Sequence, residues 1–234
     1  MLTNTPDVLT ESTADLAFAL IMSSARRVAE LDAWTKAGQW QASVPPALFG
    51  CDVHGKTLGI VGMGNIGAAV ARRGHFGFNM PIIYSGNSRK TALEHELAAQ
   101  YRNLDQLLAE ADFVCLVVPL SDKTKHLIGQ RELALMKPSA ILVNISRGPV
   151  VDEPALIQAL QNATIRGAGL DVYEKEPLAQ SPLFQLKNAV TLPHIGSATH
   201  ETREAMANRA LANLRSALLG ERPQDLVNPQ VWTA

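Results

Sequence analysis

The chain has 234 residues, 47% of them apolar and 18% charged, enough to bury the core of one large soluble domain or of one and a half small ones. Its 21 basic and 22 acidic side chains leave a formal net charge of −1, without the basic excess that a general nucleic-acid or membrane-surface role requires. Two cysteines far apart, Cys51 and Cys115, argue against a disulfide framework or a CxxC zinc site and suit a reducing cytoplasm, and the apolar runs are shorter than the roughly 18 residues of a membrane span.

The first predicted element is one long helix from Thr10 to Ala37. Thr10 or Ser12 can cap it, Glu11 and Asp15 suit the positive end of its dipole, and Gly38 stops it. The same two acids show that the run "LAFALIM" does not follow the basic leader of a signal peptide. Leu16, Leu20, Val28 and Leu31 recur on related turns, so this helix should be buried against something substantial. A Pro/Gly-bearing linker, "SVPPALFG", follows. Strand-sized apolar runs then alternate with helical stretches: "TLGIVG", "MPIIY", "DFVCLVV", "SAILVNI", "IRGAGLDV" and "NAVTLP". Continuous hydrophobicity, without alternation, suits strands covered on both faces, and the intervening helices make right-handed βαβ units. A last helix runs from about Ala198 to Leu219, up to Gly220, before a polar tail. The expected fold class is α/β, a doubly wound parallel sheet.

The string "LGIVGMGNIG" places Gly62, Gly64 and Gly67 in G-x-G-x-x-G order between a strand and a helix. Gly62 would make the tight turn, Gly64 admit a pyrophosphate against the backbone, and Gly67 let helix and strand pack closely, with the helix N-terminus offering N–H groups to phosphate. Flavoproteins and methyltransferases use similar loops, and the strand–loop–helix context favours a dinucleotide. Ser85 ends the second strand, where a carboxylate would grip the adenosine 2′-hydroxyl of NAD. Here "YSGNSRK" supplies Ser85, Asn87, Ser88, Arg89 and Lys90 instead: donors and positive charge suited to a 2′-phosphate. NADP is therefore expected over NAD, with NADPH preferred to NADH.

Three strings lie at strand C-terminal ends, where an open α/β sheet forms its ligand crevice. "VNISRGPVVDE" carries Arg147, "AGLDVYEKEP" carries Asp171 and Glu176, and "LPHIGSAT" carries His194. An arginine can fork onto a substrate carboxylate and polarise the neighbouring ketone, and a histidine can give a proton to the oxygen as hydride reaches carbon. A buried glutamate beside that histidine would favour its protonated form and fix its orientation. His54, His75, His95, His126 and His200 have no partner at metal-ligand spacing, and no metal site is expected.

With these residues in view, the sequence resembles the D-isomer-specific 2-hydroxyacid dehydrogenases, within them the glyoxylate/hydroxypyruvate reductase and 2-ketogluconate reductase branch. The strings that carry the resemblance are "DVHGKTLGIVGMGNIG", "HFGFNMPIIY", "ISRGPVVDEPALIQAL", "AGLDVYEKEPL" and "PHIGSATHETREAM", spread over nearly the whole chain. The resemblance implies that Arg147, Glu176 and His194 are the catalytic set. It implies cofactor contacts at Gly62, Gly64, Asn65, Ile66, Gly67 and Ser85, at Val118, Pro119 and Ile145, and at Arg147, His194 and Asp171, the last near the nicotinamide amide. It also implies reduction of a small 2-keto acid, glyoxylate or hydroxypyruvate, to the D-2-hydroxy acid by a homodimer, with 2-ketogluconate as the alternative substrate. Residues 1–197 would form the nucleotide-binding domain with its crossover helix. Residues 198–234 would be the helix and tail of a smaller substrate domain, whose N-terminal part, with the loop that holds the substrate carboxylate, is absent. A fragment, a natural short form that dimerises through the long first helix, and a catalytically silent NADPH-binding module are the alternatives this leaves open.

Overall fold

The computed structural model describes residues 1–232; the end of the predicted tail, residues 233–234, lies outside the described residues. Where one long helix is expected there are two, α1 (Thr10–Arg26) and α2 (Val28–Lys36). Arg27 breaks the run by adopting the left-handed conformation, φ 56° and ψ 36°, which costs a non-glycine residue about 1–2 kcal/mol. Its side chain holds the break: Nε donates to Glu30 Oε2 at 2.7 Å, and Nη1 donates to the Ala47 carbonyl of the linker. The break also changes the expected apolar stripe. Leu20 is fully buried, Leu16 and Leu31 are half-buried, and Val28 is turned out to solvent. Neither Thr10 nor Ser12 caps α1. Leu9 occupies the cap position, and the Ser12 hydroxyl donates back to its carbonyl at 3.2 Å.

The rest of the chain alternates strands and helices: β1 (Leu58–Val61), α3 (Asn65–Arg72), β2 (Ile82–Ser85), α4 (Thr91–Leu97), β3 (Gln100–Tyr101), α5 (Leu104–Glu110), β4 (Phe113–Leu116), α6 (Gln130–Leu135), β5 (Ile141–Asn144), α7 (Glu153–Gln161), β6 (Gly167–Leu170), β7 (Ala189–Thr191) and α8 (His200–Leu218). All strand pairs are parallel, in the order β3-β2-β1-β4-β5-β6-β7. The order reverses between β1 and β4, which opens a crevice above the carboxyl ends of those strands. The strand β3 was not expected; its two residues are exposed and carry no apolar run.

Burial on both faces explains the continuous apolar runs. On one face Ile60, Tyr84, Phe113, Cys115, Ile141 and Val143 pack with Ala14, Ala17, Leu20 and Ile21 of α1. On the other, Val61, Val114, Leu116 and Leu142 pack with Leu107, Leu108, Leu133, Leu156 and Leu160 of α5, α6 and α7. The edge strand β7 is different: it pairs only with β6, and each of its residues is half-buried. Helix α8 is capped by Thr199, whose side chain accepts from the Thr202 amide, and Gly220, at φ 74°, lies two residues beyond its last. The tail after it pairs with the start of the chain through an antiparallel bridge between Thr3 and Leu226. Among the described residues no helix is long and apolar enough to cross a membrane.

Candidate active site

The loop between β1 and α3 has the shape its glycines allow. Gly62 sits at φ 104°, a region that disfavours side chains, and its amide donates to the Ser85 carbonyl at 2.9 Å. A Cβ on Gly67 would stand 2.2 Å from the Gly62 carbonyl oxygen, so the first turn of α3 closes against the loop only because that atom is missing. Gly64 instead faces open space, with no atom within 4 Å of where its Cβ would be. Helix α3 starts at Asn65 without a side-chain cap. A tight turn, a clear approach at Gly64 and an uncapped helix start fit a dinucleotide pyrophosphate. Ile66 lies against the core, whereas the Asn65 amide group donates to Asp7 Oδ1 at 2.5 Å. Across the crevice, Val118 is half-buried with its Cγ1 against Gly62, Pro119 is exposed, and Ile145 is buried just past β5.

Ser85 ends β2, half-buried, and Asn87, Ser88, Arg89 and Lys90 follow on an exposed loop. That loop is held at several points. The Tyr101 hydroxyl donates to the Gly86 carbonyl at 3.2 Å, and the Lys90 amide donates to the Tyr84 hydroxyl at 2.6 Å. Arg89 forks onto Glu94 of α4, with Nε–Oε1 at 3.0 Å and Nη2–Oε2 at 2.7 Å. Lys90 makes no ion pair among the described residues, so the site keeps one unspent cation.

The predicted catalytic residues fall on three neighbouring loops. His194 and Glu176 meet directly, Nδ1 to Oε2 at 2.7 Å, while the Tyr173 amide donates to the other Glu176 oxygen at 3.0 Å. Partial burial pushes the Glu176 carboxyl up. The His194 and Tyr173 hydrogen bonds and the charges of His194 and Arg147 outweigh it and hold the group below its ordinary value. The expectation of a buried glutamate is corrected here, because the Glu176 side chain is 34% exposed and that of His194 47%. Among the described residues, the His194 ring and the Tyr173 amide bond the Glu176 carboxylate. Arg147 comes to this pair through the backbone and makes no hydrogen bond to either member. A Cβ on Gly148 would lie 1.8 Å from both the carbonyl carbon and oxygen of Tyr173, so the "SRG" turn is seated directly on the loop that carries Glu176. Buried Asn144 braces the turn, accepting from the Ser146 amide at 3.0 Å and its hydroxyl at 2.7 Å. Arg147 itself is exposed, with Nη1 on the Ser146 carbonyl.

Asp171 does something the sequence did not disclose. It is 2% exposed, and its two oxygens accept the Ile195 and Gly196 amides at 2.7 and 2.9 Å. Burial raises its pKa against those amides and the His194 charge, which lower it. Asp171 therefore secures the backbone directly after His194, a residue itself held at φ 53°. Tyr173 was also missed. Its hydroxyl lies 3.2 Å from the Leu170 carbonyl and 2.9 Å from the Leu192 carbonyl, at the ends of β6 and β7. The signal available for it was only its place inside "DVYEKEP". A cavity of about 420 Å³ opens beside the pair, lined by His194 and Glu176 together with apolar Leu178, Phe184 and Leu192. Among the described residues no cluster of three potential metal ligands occurs.

The sequence of the D-isomer specific 2-hydroxyacid dehydrogenase NAD binding domain matches residues 18–196. The chain belongs to the D-isomer specific 2-hydroxyacid dehydrogenases. Among curated members of that family, glyoxylate/hydroxypyruvate reductase B of Klebsiella pneumoniae is 58% identical over 232 residues, 99% of this chain and 72% of the relative. Among solved members, the TT0316 protein of Thermus thermophilus superposes with a TM-score of 0.90 at 46% identity, covering 96% of this chain and 70% of the other. The NADPH-dependent glyoxylate/hydroxypyruvate reductase of Sinorhizobium meliloti, solved with NADP and malonate, gives 0.88 at 35% identity over 96% and 70% of the two chains. The dehydrogenase's NAD-binding domain is thus present as a seven-stranded parallel sheet, with the three loops of the candidate site at its carboxyl edge.

Proposed function

We propose that this chain is an NADPH-dependent reductase of a small 2-keto acid, glyoxylate or hydroxypyruvate, giving the D-2-hydroxy acid. The observation that carries the proposal is the 2.7 Å contact of His194 Nδ1 with Glu176 beside the Arg147 turn, at the carboxyl edge of a dinucleotide fold. Bound nicotinamide supplies the hydride. Glu176, held ionised, takes the Nδ1 proton of His194 as a hydrogen bond and so aims Nε2 into the open side of the crevice, where it gives its proton to the carbonyl oxygen of the substrate. Arg147 binds the keto acid and polarises its carbonyl. Asp171 contributes by fixing the backbone that presents His194.

Within this proposal Gly62, Gly64, Asn65, Ile66 and Gly67 hold the pyrophosphate, Val118, Pro119 and Ile145 line the cofactor crevice, and Ser85 to Lys90 receive the adenosine 2′-phosphate. Residues 1–197 are the cofactor unit, and α8 with its tail is the second, smaller unit. The same reading includes a homodimer in a reducing cytoplasm. Helix α2 buries none of its residues, Trp40 and Phe49 beyond it are 64% and 59% exposed, and Cys51 and Cys115 are free thiols. Sedimentation of the purified chain tests the dimer.

The deciding experiment is NADPH consumption with hydroxypyruvate, with His194→Asn as control. Turnover that disappears in the variant supports the reading. Tight NADPH binding without turnover of any 2-keto acid refutes the reductase assignment for this chain.

A further inference from the structure

The loop expected to receive the 2′-phosphate contains a carboxylate that a cation-rich site would not be expected to hold. Glu94 lies on the first turn of α4, and its side chain is only 15% exposed. Two groups fix it: the Arg89 guanidinium and the Tyr84 hydroxyl, which donates to Oε1 at 2.6 Å. The Arg89 side chain is 66% exposed, and its fork rests on Glu94. The two are therefore not equivalent. Arg89 can leave Glu94, whereas Tyr84, a fully buried side chain, would keep the carboxylate in place. Arg89 also spends its Nε–Nη2 edge on Glu94, the edge best shaped for two parallel bonds to a phosphate.

Resting on the NADPH reading above, we propose that Glu94 is a specificity-determining residue that restrains the preference for NADPH, because its carboxylate competes with the 2′-phosphate for Arg89. With Glu94 ionised, the loop cations Arg89 and Lys90 present a net charge of about +1, and without it about +2. A dianionic 2′-phosphate responds to that difference, whereas the 2′-hydroxyl of NADH responds weakly. Competition and charge act in the same direction: Glu94 weakens NADPH binding more than NADH binding. Glu94 would also receive the Arg89 fork again when the cofactor leaves, so the exposed cation is stored in an ordered position.

The test is calorimetric titration of NADPH and NADH into the full chain and three variants, at low and high salt. Glu94→Gln keeps the shape and the Tyr84 hydrogen bond but removes the charge. It should tighten NADPH roughly three- to tenfold, leave NADH within about a factor of two, and lose most of this gain near 1 M salt. Tyr84→Phe loosens the loop without changing its charge and should affect both cofactors equally. The double variant Arg89→Ala/Lys90→Ala should weaken NADPH selectively. A Glu94→Gln ratio of NADPH to NADH affinity that is unchanged or reduced overturns the role given to Glu94, as does a Tyr84→Phe variant that shifts the ratio equally. If Glu94→Gln leaves the ratio unchanged while the double variant loses NADPH affinity selectively, the cofactor assignment stands and only the restraint is lost. Equal losses of both cofactors in the double variant overturn both.

Discussion

Gly148 is the most direct test of how the three loops of the site depend on one another. There is no room at this position for a side chain, because a Cβ placed on the present backbone would lie 1.8 Å from the Tyr173 carbonyl carbon and oxygen. Ordinary contact begins at 3.4 Å, so Gly148→Ala requires the "SRG" turn and the Tyr173 loop to separate by about 1.6 Å. The obstacle is backbone on both sides, and no side-chain rotation can relieve it. Overpacking of this kind costs typically 1–3 kcal/mol. For a chain of this length that lowers Tm by roughly 2–12 °C. The separation also carries Arg147 away from Glu176 and His194, and a misplacement of about 1 Å can cost 10²-fold in rate. Scanning calorimetry of the variant should show the lower Tm, while NADPH titration should show affinity within about a factor of three, since the glycine loop lies elsewhere. Where turnover of hydroxypyruvate is measured, it should fall by about a hundredfold. An alanine variant with unchanged Tm would refute the backbone seating of Arg147.

Asp171→Asn keeps the shape but turns an N–H donor toward one of the two amides that Asp171 now accepts. It should destabilise the chain by about 2–3 kcal/mol in urea denaturation and reduce turnover, without altering the NADPH to NADH ratio. Glu176 gives a pH signature. Its folded pKa lies below the ordinary 4.5, so its stabilising effect is complete above about pH 4.5 and is lost as pH falls through the lower folded value. The difference in Tm between the parent chain and Glu176→Gln should therefore narrow as pH falls from about 4.5 toward 3, and a difference independent of pH over that range would refute an ionised Glu176. His194→Asn should abolish turnover while leaving Tm within about 2 °C, because the ring is 47% exposed and holds only Glu176.

Much of the sheet was legible because both its faces are buried. Runs such as "DFVCLVV" and "SAILVNI" are apolar throughout since Phe113 and Cys115 serve one core and Val114 and Leu116 the other. The glycine spacing was equally informative, since each position meets a distinct steric demand. β3 was invisible because Gln100 and Tyr101 are exposed at the edge and have no hydrophobic period. The break at Arg27 left no glycine or asparagine to mark it, and what stabilises it, Glu30 and the Ala47 carbonyl, comes partly from a distant linker. In the site, Arg147, Glu176 and His194 stood out together, because three complementary chemistries fall at the carboxyl ends of strands beside the glycine loop. The use of Asp171 as a clamp on the Ile195 and Gly196 amides was not legible, because a buried carboxylate bonded to backbone leaves no pattern in the residues around it. The pairing of Glu94 with Arg89 was missed for a related reason: five positions separate them, and the intervening turn brings them together.

Strand β7 has a consequence for how activity is lost. His194 is carried just beyond an edge strand of the sheet, paired on one side only and half-buried along its length. Edge strands open more readily than central ones, and their amides exchange with solvent accordingly. Each opening of β7 would withdraw His194, the proposed proton donor, without unfolding the dinucleotide fold. The Tyr173 hydroxyl at the Leu192 carbonyl and the Asp171 clamp on the Gly196 amide are the latches against that opening. Deuterium uptake at Val190, Thr191 and Leu192 would therefore report the fraction of molecules out of service, and mild heating should disable the site before it melts the sheet.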